Sequence, residues 1–289
     1  MTSFTKVITT EESSLTRVAA PALPFAPMEY QQRYVDDLNS ILRLYFNQID
    51  ALVSQLQVAQ LNTLALPQGS FFQDGVTTLS AGINNSATTI PVVSTTGFQS
   101  TGVILIEAEF ITYTGKTTTS FTGCTRGQYG TSNSAHSSGV SIGEGQAATG
   151  AAALIMSDTT SSNGVALDAT DKSKIVFTTA GYYNIQFSLQ LVSFDTAVDN
   201  VSIWFAKNGT NIDYSAGIGT IPGRISASKP ATAIISWNII IPVAANDYIQ
   251  LYLFSESGKT LAVTFPTDTA PTRPISPSVI LTATFTSAL

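Results

Sequence analysis

Two residues of this 289-residue chain have side chains that are common in catalysis, and each occurs once. Cys124 and His136 lie twelve positions apart in "FTGCTRGQYGTSNSAHSSGV", with Arg126 close to the cysteine. A thiol nucleophile needs a base within hydrogen-bonding reach and usually a third group that orients the base. The chain has no second histidine, and the turn-rich surroundings favour a structural role. We expect Arg126 and Tyr129 to close over a hairpin and His136 to cap a loop, and we predict that the protein is not an enzyme.

Paired carboxylates and metal ligands are the other arrangements that carry chemistry. A glycan hydrolase needs two positioned carboxylates; Glu107 and Glu109 are expected on the same side of a strand, but their neighbours are typical of a core. Zinc needs three or four ligands at definite spacing, which one Cys and one His cannot supply. Asp195, Asp199 and Asn200 in "SFDTAVDN" are candidate calcium ligands, yet the DxDxDG-type loop is absent. The sequence therefore predicts no cofactor and no metal site.

The composition restricts the class of protein and its partners. Hydrophobic residues make up 44% of the chain, enough for a sizeable core, whereas charged residues make up only 11%, against roughly 25% in ordinary soluble proteins. That balance is typical of rigid extracellular β-proteins and virus particles. The net charge is -6 and no cluster of Lys and Arg occurs, so nucleic acid is not expected as a partner. No stretch approaches the ~18 continuous apolar residues of a membrane-spanning helix, so no membrane insertion is expected.

The N-terminal segment ends in "APALPFAP", whose three prolines force an extended path. We predict an anchoring arm over residues 1–27 that is either disordered or ordered only by a partner. Leu23 and Phe25 are the apolar residues that would hold it on that partner, because the segment cannot build a core of its own.

Residues 28–66 contain neither glycine nor proline, and their apolar residues alternate spacings of three and four. This heptad pattern predicts a long helix with a coiled-coil seam, formed by Val35, Leu38, Leu42, Tyr45, Ile49, Leu52 and Leu56. Additional apolar residues at Ile41, Leu44 and Phe46 favour three helices, or a bundle docked on something else, over a bare dimer. The alternative is a long helix packed against its own domain.

The remainder of the chain is predicted to be β-structure. Residues 67–146 form a small β-rich module with a hairpin or bulge near Glu107, and a Gly-, Ala-, Ser- and Thr-rich linker follows over 147–170. Residues 171–289 are predicted to form an all-β knob of sandwich or jelly-roll type. In the knob, Asn208-Gly209 marks a tight hairpin turn, which also explains the glycosylation sequon that begins there. The predicted strands of the knob are 174–177, 182–194, 200–206, 231–241, 248–254, 261–265 and 278–285.

Three stretches of the predicted knob resemble the jelly-roll heads of the complement-subcomponent and tumour-necrosis-factor superfamily. They are "FTTAGYYNIQFSLQL", "SIWFAKNGTNI" and "IPVAANDYIQLYL". In those heads a G-x-Y strand, an N-G hairpin and an a-G-D-y-i-x-L strand follow in this order. The chain departs from the pattern at Asn246, where glycine is usual. The resemblance implies a jelly roll that assembles as a homotrimer, with aromatic and aliphatic residues of one sheet around the threefold axis.

The middle segment resembles a small β-module that recurs in structural proteins of tailed bacteriophages. The resemblance rests on "GF-x-x-x-G-x-I-x-I", "E-x-I-x-Y-T-G", "F-T-G-C-x-R-G-x-x-G-T" and "A-H-x-x-G", and "ILRLYFNQID" resembles the N-terminal region of phage virion proteins. It implies a trimeric fibre or spike on the capsid or tail surface of the virion. The arm would attach it to another virion protein, and the knob would adhere to a glycan or protein of the host surface. The alternatives are a capsid decoration or cement protein and a glycan-degrading fibre.

The stretch "YSAGIGTIPGRISASKP", residues 214–230, is predicted to be a long glycine-rich loop. Loops on a rigid scaffold are where recognition residues usually lie, so Tyr214, Arg224 and Lys229 are candidate receptor-binding residues. The same loop could instead wrap a neighbouring subunit. Aromatic residues on predicted strands, such as Trp204, are expected in the core or in the trimer interface.

Overall fold

The computed structural model describes the chain over residues 28–29, 32–64, 66–269 and 272–289. The chain divides into two compact units, the segment up to Leu66 and the β unit Pro67–Ser287. The predicted arm, residues 1–27 with Leu23 and Phe25, lies outside the described residues.

Helix α1 (Gln32–Leu64) has 33 residues, which is about 50 Å at 1.5 Å per residue, and it confirms the predicted long helix. It forms over a run that contains neither glycine nor proline, the two residues that most disfavour a helix interior. Six residues of the predicted seam, from Val35 to Leu52, are half-buried, and the seventh, Leu56, is exposed. Among the described residues, no helix is long and apolar enough to cross a membrane.

The β unit is built from short strands up to Leu167 and longer ones after it. The first group is β1 (Gln68–Phe72), β2 (Val76–Thr78), β3 (Thr89–Pro91), β4 (Gly102–Ile106), β5 (Glu109–Tyr113), β6 (Gly115–Lys116), β7 (Ser120–Thr122), β8 (Thr125–Gln128), β9 (Ser141–Gln146), β10 (Ala152–Ala153), β11 (Asp158–Asn163) and β12 (Val165–Leu167). The second group is β13 (Ile175–Phe177), β14 (Gly181–Ser193), β15 (Asp199–Lys207), β16 (Thr210–Asn211), β17 (Gly217–Ile221), β18 (Ala231–Val243), β19 (Tyr248–Ser255), β20 (Thr260–Val263), β21 (Asp268–Thr269), β22 (Thr272–Arg273) and β23 (Val279–Ser287).

The larger sheet joins the predicted module to the predicted knob. Its nine strands in the described part of the chain run β18-β14-β20-β9-β4-β5-β8, with β2 paired to β9 and β23 paired to β14. The junction is the antiparallel pairing of β9 with β20, in which Gln146 faces Ala262 and Gly145 faces Val263. One sheet therefore continues from the module into the knob, and the two predicted domains share one compact unit.

The predicted linker, residues 147–170, contributes strands β10, β11 and β12. Strand β11 is "DTTSSN", and it pairs with β1 although most of its side chains are exposed. A strand ladder is made by backbone hydrogen bonds, so a polar run can pair without an apolar pattern. The sequence of β11 therefore has no apolar alternation from which a strand could be predicted.

The smaller sheet has the order β12-β13-β19-β15-β16, with β10 paired to β19 and β17 paired to β15. It packs face to face on the larger sheet. The ring centroids of Phe187 on β14 and Phe205 on β15 lie 5.6 Å apart, and those of Tyr183 on β14 and Phe177 on β13 lie 4.7 Å apart. The predicted mainly β fold with sandwiched sheets is confirmed, and each predicted strand of the knob is present.

Two predicted turns are also confirmed. Strands β4 and β5 form a hairpin in which Ile106 faces Glu109, so Glu107 and Ala108 make the turn. Asn208 and Gly209 connect β15 to β16 with φ angles of 52° and 79°, the left-handed conformation of tight hairpin loops.

The prediction of a loop throughout residues 214–230 is wrong, because strand β17 (Gly217–Ile221) pairs with β15. The glycines of this strand make room for side chains of β18. A Cβ atom at Gly217 would lie 2.7 Å from the Trp237 ring, and one at Gly219 would lie 2.4 Å from Ile235 Cδ1. Glycine is needed here for close packing and not for a flexible loop.

Candidate functional site

A buried ionic network closes the tip of the β4–β5 hairpin, and Glu109 is its centre. Its carboxylate accepts hydrogen bonds from Arg126 Nε at 2.8 Å and from Arg126 Nη2 at 2.7 Å. The backbone N–H groups of Gly127 and Ser134 donate to the same carboxylate at 2.9 and 3.1 Å. Arg126 also donates to the carbonyl oxygens of Asn84 and Ser134, both at 2.5 Å. Strands β5 and β8, which pair with each other, thus bring a satisfied carboxylate and guanidinium together.

His136 lies between two carboxylates. Its Nδ1 is 2.7 Å from Glu107 Oε2 and its Nε2 is 2.7 Å from Glu109 Oε2. Its backbone is held by reciprocal hydrogen bonds with Ile83 at 2.9 and 3.0 Å. Both ring nitrogens are thus within hydrogen-bonding distance of a carboxylate oxygen. Arg126 binds the hairpin as expected, and the Tyr129 ring contacts that of Phe110 on β5 with the centroids 5.9 Å apart. His136, which was expected to cap a loop, bridges the two glutamates of this hairpin.

The pKa of Glu109 reflects the competition between burial and these donors. Burial raises the pKa of this carboxyl, but the hydrogen bonds from Arg126, His136 and the Ser134 N–H outweigh burial and hold the pKa below 4.5. Glu109 therefore stays ionised, and its charge is matched by the Arg126 guanidinium. A buried ion pair of this kind is costly to break from one side, because the remaining charge has no partner.

Cys124 does not join the network. Its side chain is buried among Ile104, Ile111 and Phe121 in the core of the module, and burial raises the pKa of its thiol to about 11. A thiolate is the reactive form of cysteine, so this thiol is unreactive at neutral pH. Both nitrogens of His136 are held by carboxylates. The structure thus places the two residues with different partners and does not form a nucleophile–base pair.

Glu107 connects the network to the surface. It is a turn residue with a φ of 52°, a conformation that costs a non-glycine residue about 1 kcal/mol or more. Its side chain is 59% exposed, whereas that of Glu109 is 1% exposed. The expectation that both carboxylates have core surroundings is therefore correct for Glu109 and wrong for Glu107, because a hairpin tip follows strand β4.

A cleft of about 290 Å³ opens beside Glu107. Across it lies the segment after β20, where Arg273 stacks on Phe265 with 5.7 Å between the guanidinium carbon and the ring centroid. Arg273 Nη2 is 3.6 Å from Asp268 Oδ2, and Nη1 donates to Ser276 Oγ at 3.3 Å. Sequence reasoning missed these cleft residues, which lie far along the chain from Glu107. The closely spaced prolines of "FPTDTAPTRP" were the available sign of an irregular segment.

The candidate receptor residues do not form one site. Tyr214 is fully exposed with a φ of 63°, and strand β17 separates it along the chain from Arg224. Arg224 Nη1 donates to the carbonyl oxygen of Gly130 at 3.3 Å. Lys229 belongs to a short turn that returns the chain to Ile225, whose N–H donates to the Lys229 carbonyl at 3.0 Å. Arg224 and Lys229 are thus neighbours in one turn, and Tyr214 lies at the other end of β17.

The candidate calcium ligands have protein partners. Asp195 pairs with Lys259 at 3.1 Å. Asp199 is buried and accepts hydrogen bonds from Ser255 Oγ at 2.6 Å and Thr260 Oγ1 at 2.5 Å, while Asn200 bonds Glu256 and Thr220. Within the described ranges no group of three or more His, Cys, Asp and Glu side chains is arranged to hold a metal ion.

A second buried carboxylate, Glu144 on β9, joins the module to the segment after β1. Its Oε1 accepts from the Gln99 N–H at 2.9 Å, and its Oε2 contacts Gln73 Nε2. Burial raises the pKa of Glu144 to about 7, although the Gln99 N–H, Lys116, Tyr113 and Gln73 all favour its ionised form. The side-chain oxygen of the same amide, Gln73 Oε1, is buried and has no hydrogen-bond partner among the residues that the structure describes.

Comparison with known proteins adds no relative. No protein family matches the chain, and no curated protein sequence matches it significantly. Function is therefore inferred from the residues and their arrangement.

Proposed function

We propose that this protein is a non-enzymatic structural component of a tailed-phage virion, assembled as a homotrimeric fibre or spike with a jelly-roll knob and an adhesion role. The observation that carries the proposal is an uncharged outer surface on the larger sheet, beside the open edge of β18. The resemblance of the middle segment to phage modules supplies the virion location.

The outward side chains of three neighbouring strands make up this surface, which we call the uncharged face. Side chains alternate along a strand, and Tyr183, Ile185 and Phe187 of β14 are buried in the sandwich. The residues that alternate with these three along β14 therefore face outward, and so do the residues paired with them on β18 and β23. None of these outward side chains is ionisable at neutral pH. The uncharged face consists of Tyr182, Asn184, Gln186, Ser188 and Gln190 of β14, Ile234, Ser236, Asn238, Ile240 and Pro242 of β18, and Ile280, Thr282 and Thr284 of β23.

The uncharged face has the character of an interface. Ile234 and Ile240 are 66% and 59% exposed, and Ile280 and Tyr182 are exposed as well. Exposed aliphatic and aromatic residues without charges are typical of the centre of a protein–protein contact. Among the described strands β18 pairs only with β14, and an uncovered strand edge invites aggregation. Further copies of the chain would cover both features.

Helix α1 supports the same assembly. It leaves Leu44, Phe46, Val53 and Leu56 exposed. Helices gain most of their stability from packing of an apolar face, so burial of these residues would stabilise α1. A coiled coil of three copies would bury the seam from Val35 to Leu56 and the flanking apolar residues together.

The phage-like motifs coincide with the buried network, which supports a structural role for them. In "F-T-G-C-x-R-G", Cys124 fills the module core and Arg126 holds Glu109. Gly127 has a φ of 63° and donates its N–H to Glu109. In "A-H-x-x-G", His136 bridges Glu109 to Glu107. The groups that the sequence offers for catalysis hold the hairpin in place, which favours a non-enzymatic function.

The assembly is tested by sedimentation equilibrium on the full chain. We expect a trimer, with three times the chain mass of 30.5 kDa, and a monomer at micromolar concentration would contradict the proposal. Ile234→Asp with Ile240→Asp should raise the trimer dissociation constant roughly tenfold or more, because unpaired carboxylates would be buried in the contact. Val198→Asp is the matched control, since Val198 is 63% exposed and lies outside the uncharged face.

A further inference from the structure

We propose that the cleft beside Glu107 binds a single uncharged saccharide ring, held by hydrogen bonds to the carboxylates of Glu107 and Asp268 and to the guanidinium of Arg273. Such a site would give the adhesion role a ligand. It rests on the proposed function only for the source of the saccharide, which would be a glycan of the host surface. The site differs from the candidate receptor residues Tyr214, Arg224 and Lys229, none of which lines the cleft.

Glu107 is a positioned acceptor. The His136 side chain, which is 1% exposed, fixes Glu107 Oε2 at 2.7 Å, while the Glu107 side chain as a whole stays 59% exposed. Glu109 already binds the buried His136 ring at Nε2. A second carboxylate is therefore not needed merely to bury the ring, and Glu107 is open to a further role. Glycine or asparagine would occupy a left-handed turn position at lower cost. A strained residue that is held by a buried partner and still exposes a polar atom indicates a binding role.

The opposite wall supplies the complementary donor. Arg273 lies over the Phe265 ring and beside Asp268, so a guanidinium and a carboxylate are presented together. Neighbouring hydroxyl groups of a sugar each donate and accept, and they match such a pair with charge-assisted hydrogen bonds. Leu105, Val140 and Phe265 supply apolar surface for the C–H face of the ring.

The size and charge of the cleft define the ligand class. Its volume of about 290 Å³ is just below the roughly 300–1,000 Å³ of small-molecule sites, which suits one ring and not a long bound oligosaccharide. The two carboxylates outnumber the single guanidinium, and Arg273 is already paired with Asp268. An anionic ligand would therefore be repelled, and a neutral sugar fits best.

The test uses the full chain and four neutral probes, the methyl glycosides of glucose, galactose, mannose and N-acetylglucosamine, with binding followed by saturation-transfer NMR. We expect at least one probe to bind with millimolar affinity. Glu107→Asn and Arg273→Gln should each weaken that binding about tenfold or more, because each removes one charge-assisted hydrogen bond. Val93→Ala, at an exposed position outside the cleft, should bind as the unsubstituted chain does.

Three results would overturn the inference: no binding of any of the four probes, binding that survives both cleft substitutions, or binding that Tyr214→Ala abolishes while both cleft variants retain it. Thermal stability separates a binding role of Glu107 from a purely structural one. Asparagine tolerates the left-handed turn, which offsets the loss of the His136 contact. Glu107→Asn should therefore leave the melting temperature largely unchanged while it loses the ligand. A trimer that binds no probe contradicts this inference alone. A monomer that binds a probe contradicts the assembly alone, because the cleft lies within one β unit.

Discussion

Glu109 and Glu144 are both buried carboxylates, yet their surroundings move their pKa values in opposite directions. Arg126, His136 and the Ser134 N–H lower the pKa of Glu109 against the effect of burial. Glu144 has an N–H and an amide as its close donors, and burial prevails, so its pKa rises to about 7. Glu109 has the Arg126 guanidinium in direct contact, whereas the Lys116 charge near Glu144 does not outweigh burial.

Replacing Glu144 should change how stability depends on pH. Its pKa in the folded protein lies above the ordinary value of 4.5, so the folded state holds a proton that the unfolded state releases. The contribution is fully present below pH 4.5 and is lost as the pH rises through about 7. That gap corresponds to roughly 3 kcal/mol at 1.36 kcal/mol per pKa unit. Glu144→Gln, which keeps the shape and stays neutral, should remove this decline in the free energy of unfolding.

The measurement is urea unfolding of both proteins at several pH values between 4.5 and 8. The unsubstituted chain should lose stability relative to Glu144→Gln as the pH rises, with the variant the more stable protein at pH 8. The same change at the exposed Glu256 is the matched control. Parallel stability profiles for the unsubstituted chain and Glu144→Gln would show that Glu144 does not titrate as described.

Arg126→Met should destabilise the β unit by roughly 3–5 kcal/mol at neutral pH, because it leaves Glu109 ionised and buried without its main partner. The low pKa of Glu109 contributes stability above pH 4.5 that is lost as the pH falls, so the variant should also be less sensitive to acid. Arg224→Met is the matched control, since Arg224 makes one bond of 3.3 Å to the Gly130 carbonyl. Equal unfolding free energies for the two variants would contradict a supporting role for the network.

The sequence led to part of this site. Cys124 and His136 attracted attention because each is unique, and Glu107, Glu109 and Arg126 lie close to them in the chain. Both His136 nitrogens reach a carboxylate only because Glu107 adopts a left-handed turn conformation. Glutamate is not a residue type that predicts such a conformation, so this pairing could not be read from the sequence. The wall with Phe265, Asp268 and Arg273 could not be predicted, because it reaches the cleft only when β20 pairs with β9.

At the scale of elements, the contact of β17 with β18 depends on two glycines. Gly217→Ala should destabilise the protein by about 1–3 kcal/mol, the range for overpacking, because the new Cβ would lie 2.7 Å from the rigid Trp237 ring. Gly150→Ala is the matched control, since no atom lies within 4 Å of a Cβ there. Thermal unfolding measures both, and equal melting temperatures would contradict the packing role of Gly217.

The strands that the sequence predicts are apolar runs bounded by turn residues, and in some of them the apolar residues also alternate. Strand β14 is the clearest case, with Tyr183, Ile185 and Phe187 facing the core. Strand β17 was missed because glycine usually indicates a loop. Here Gly217 leaves room for the ring of Trp237, which lies twenty residues further along the chain. Strand β11 was missed because its side chains are polar and only its backbone pairs.

At the scale of the whole molecule, the β unit Pro67–Ser287 has a core of its own. The larger sheet continues from the middle segment into the C-terminal strands through β9 and β20, so residues Pro67–Ser287 should fold together. Helix α1 exposes apolar side chains such as Phe46 and Val53. Exposed apolar residues of this kind are available for contact with a partner, and the proposed arm over residues 1–27 precedes this helix in the chain.

The central claim, a virion protein held by its N-terminal arm, is tested most directly by co-sedimentation with particles that lack the protein. The full chain and a chain without residues 1–27 are added separately, and the protein that sediments with the particles is measured. We expect the full chain to bind and the shortened chain to stay in solution as a trimer, because the arm with Leu23 and Phe25 supplies the contact. Equal binding of the two chains, or no binding of the full chain, would contradict the proposal.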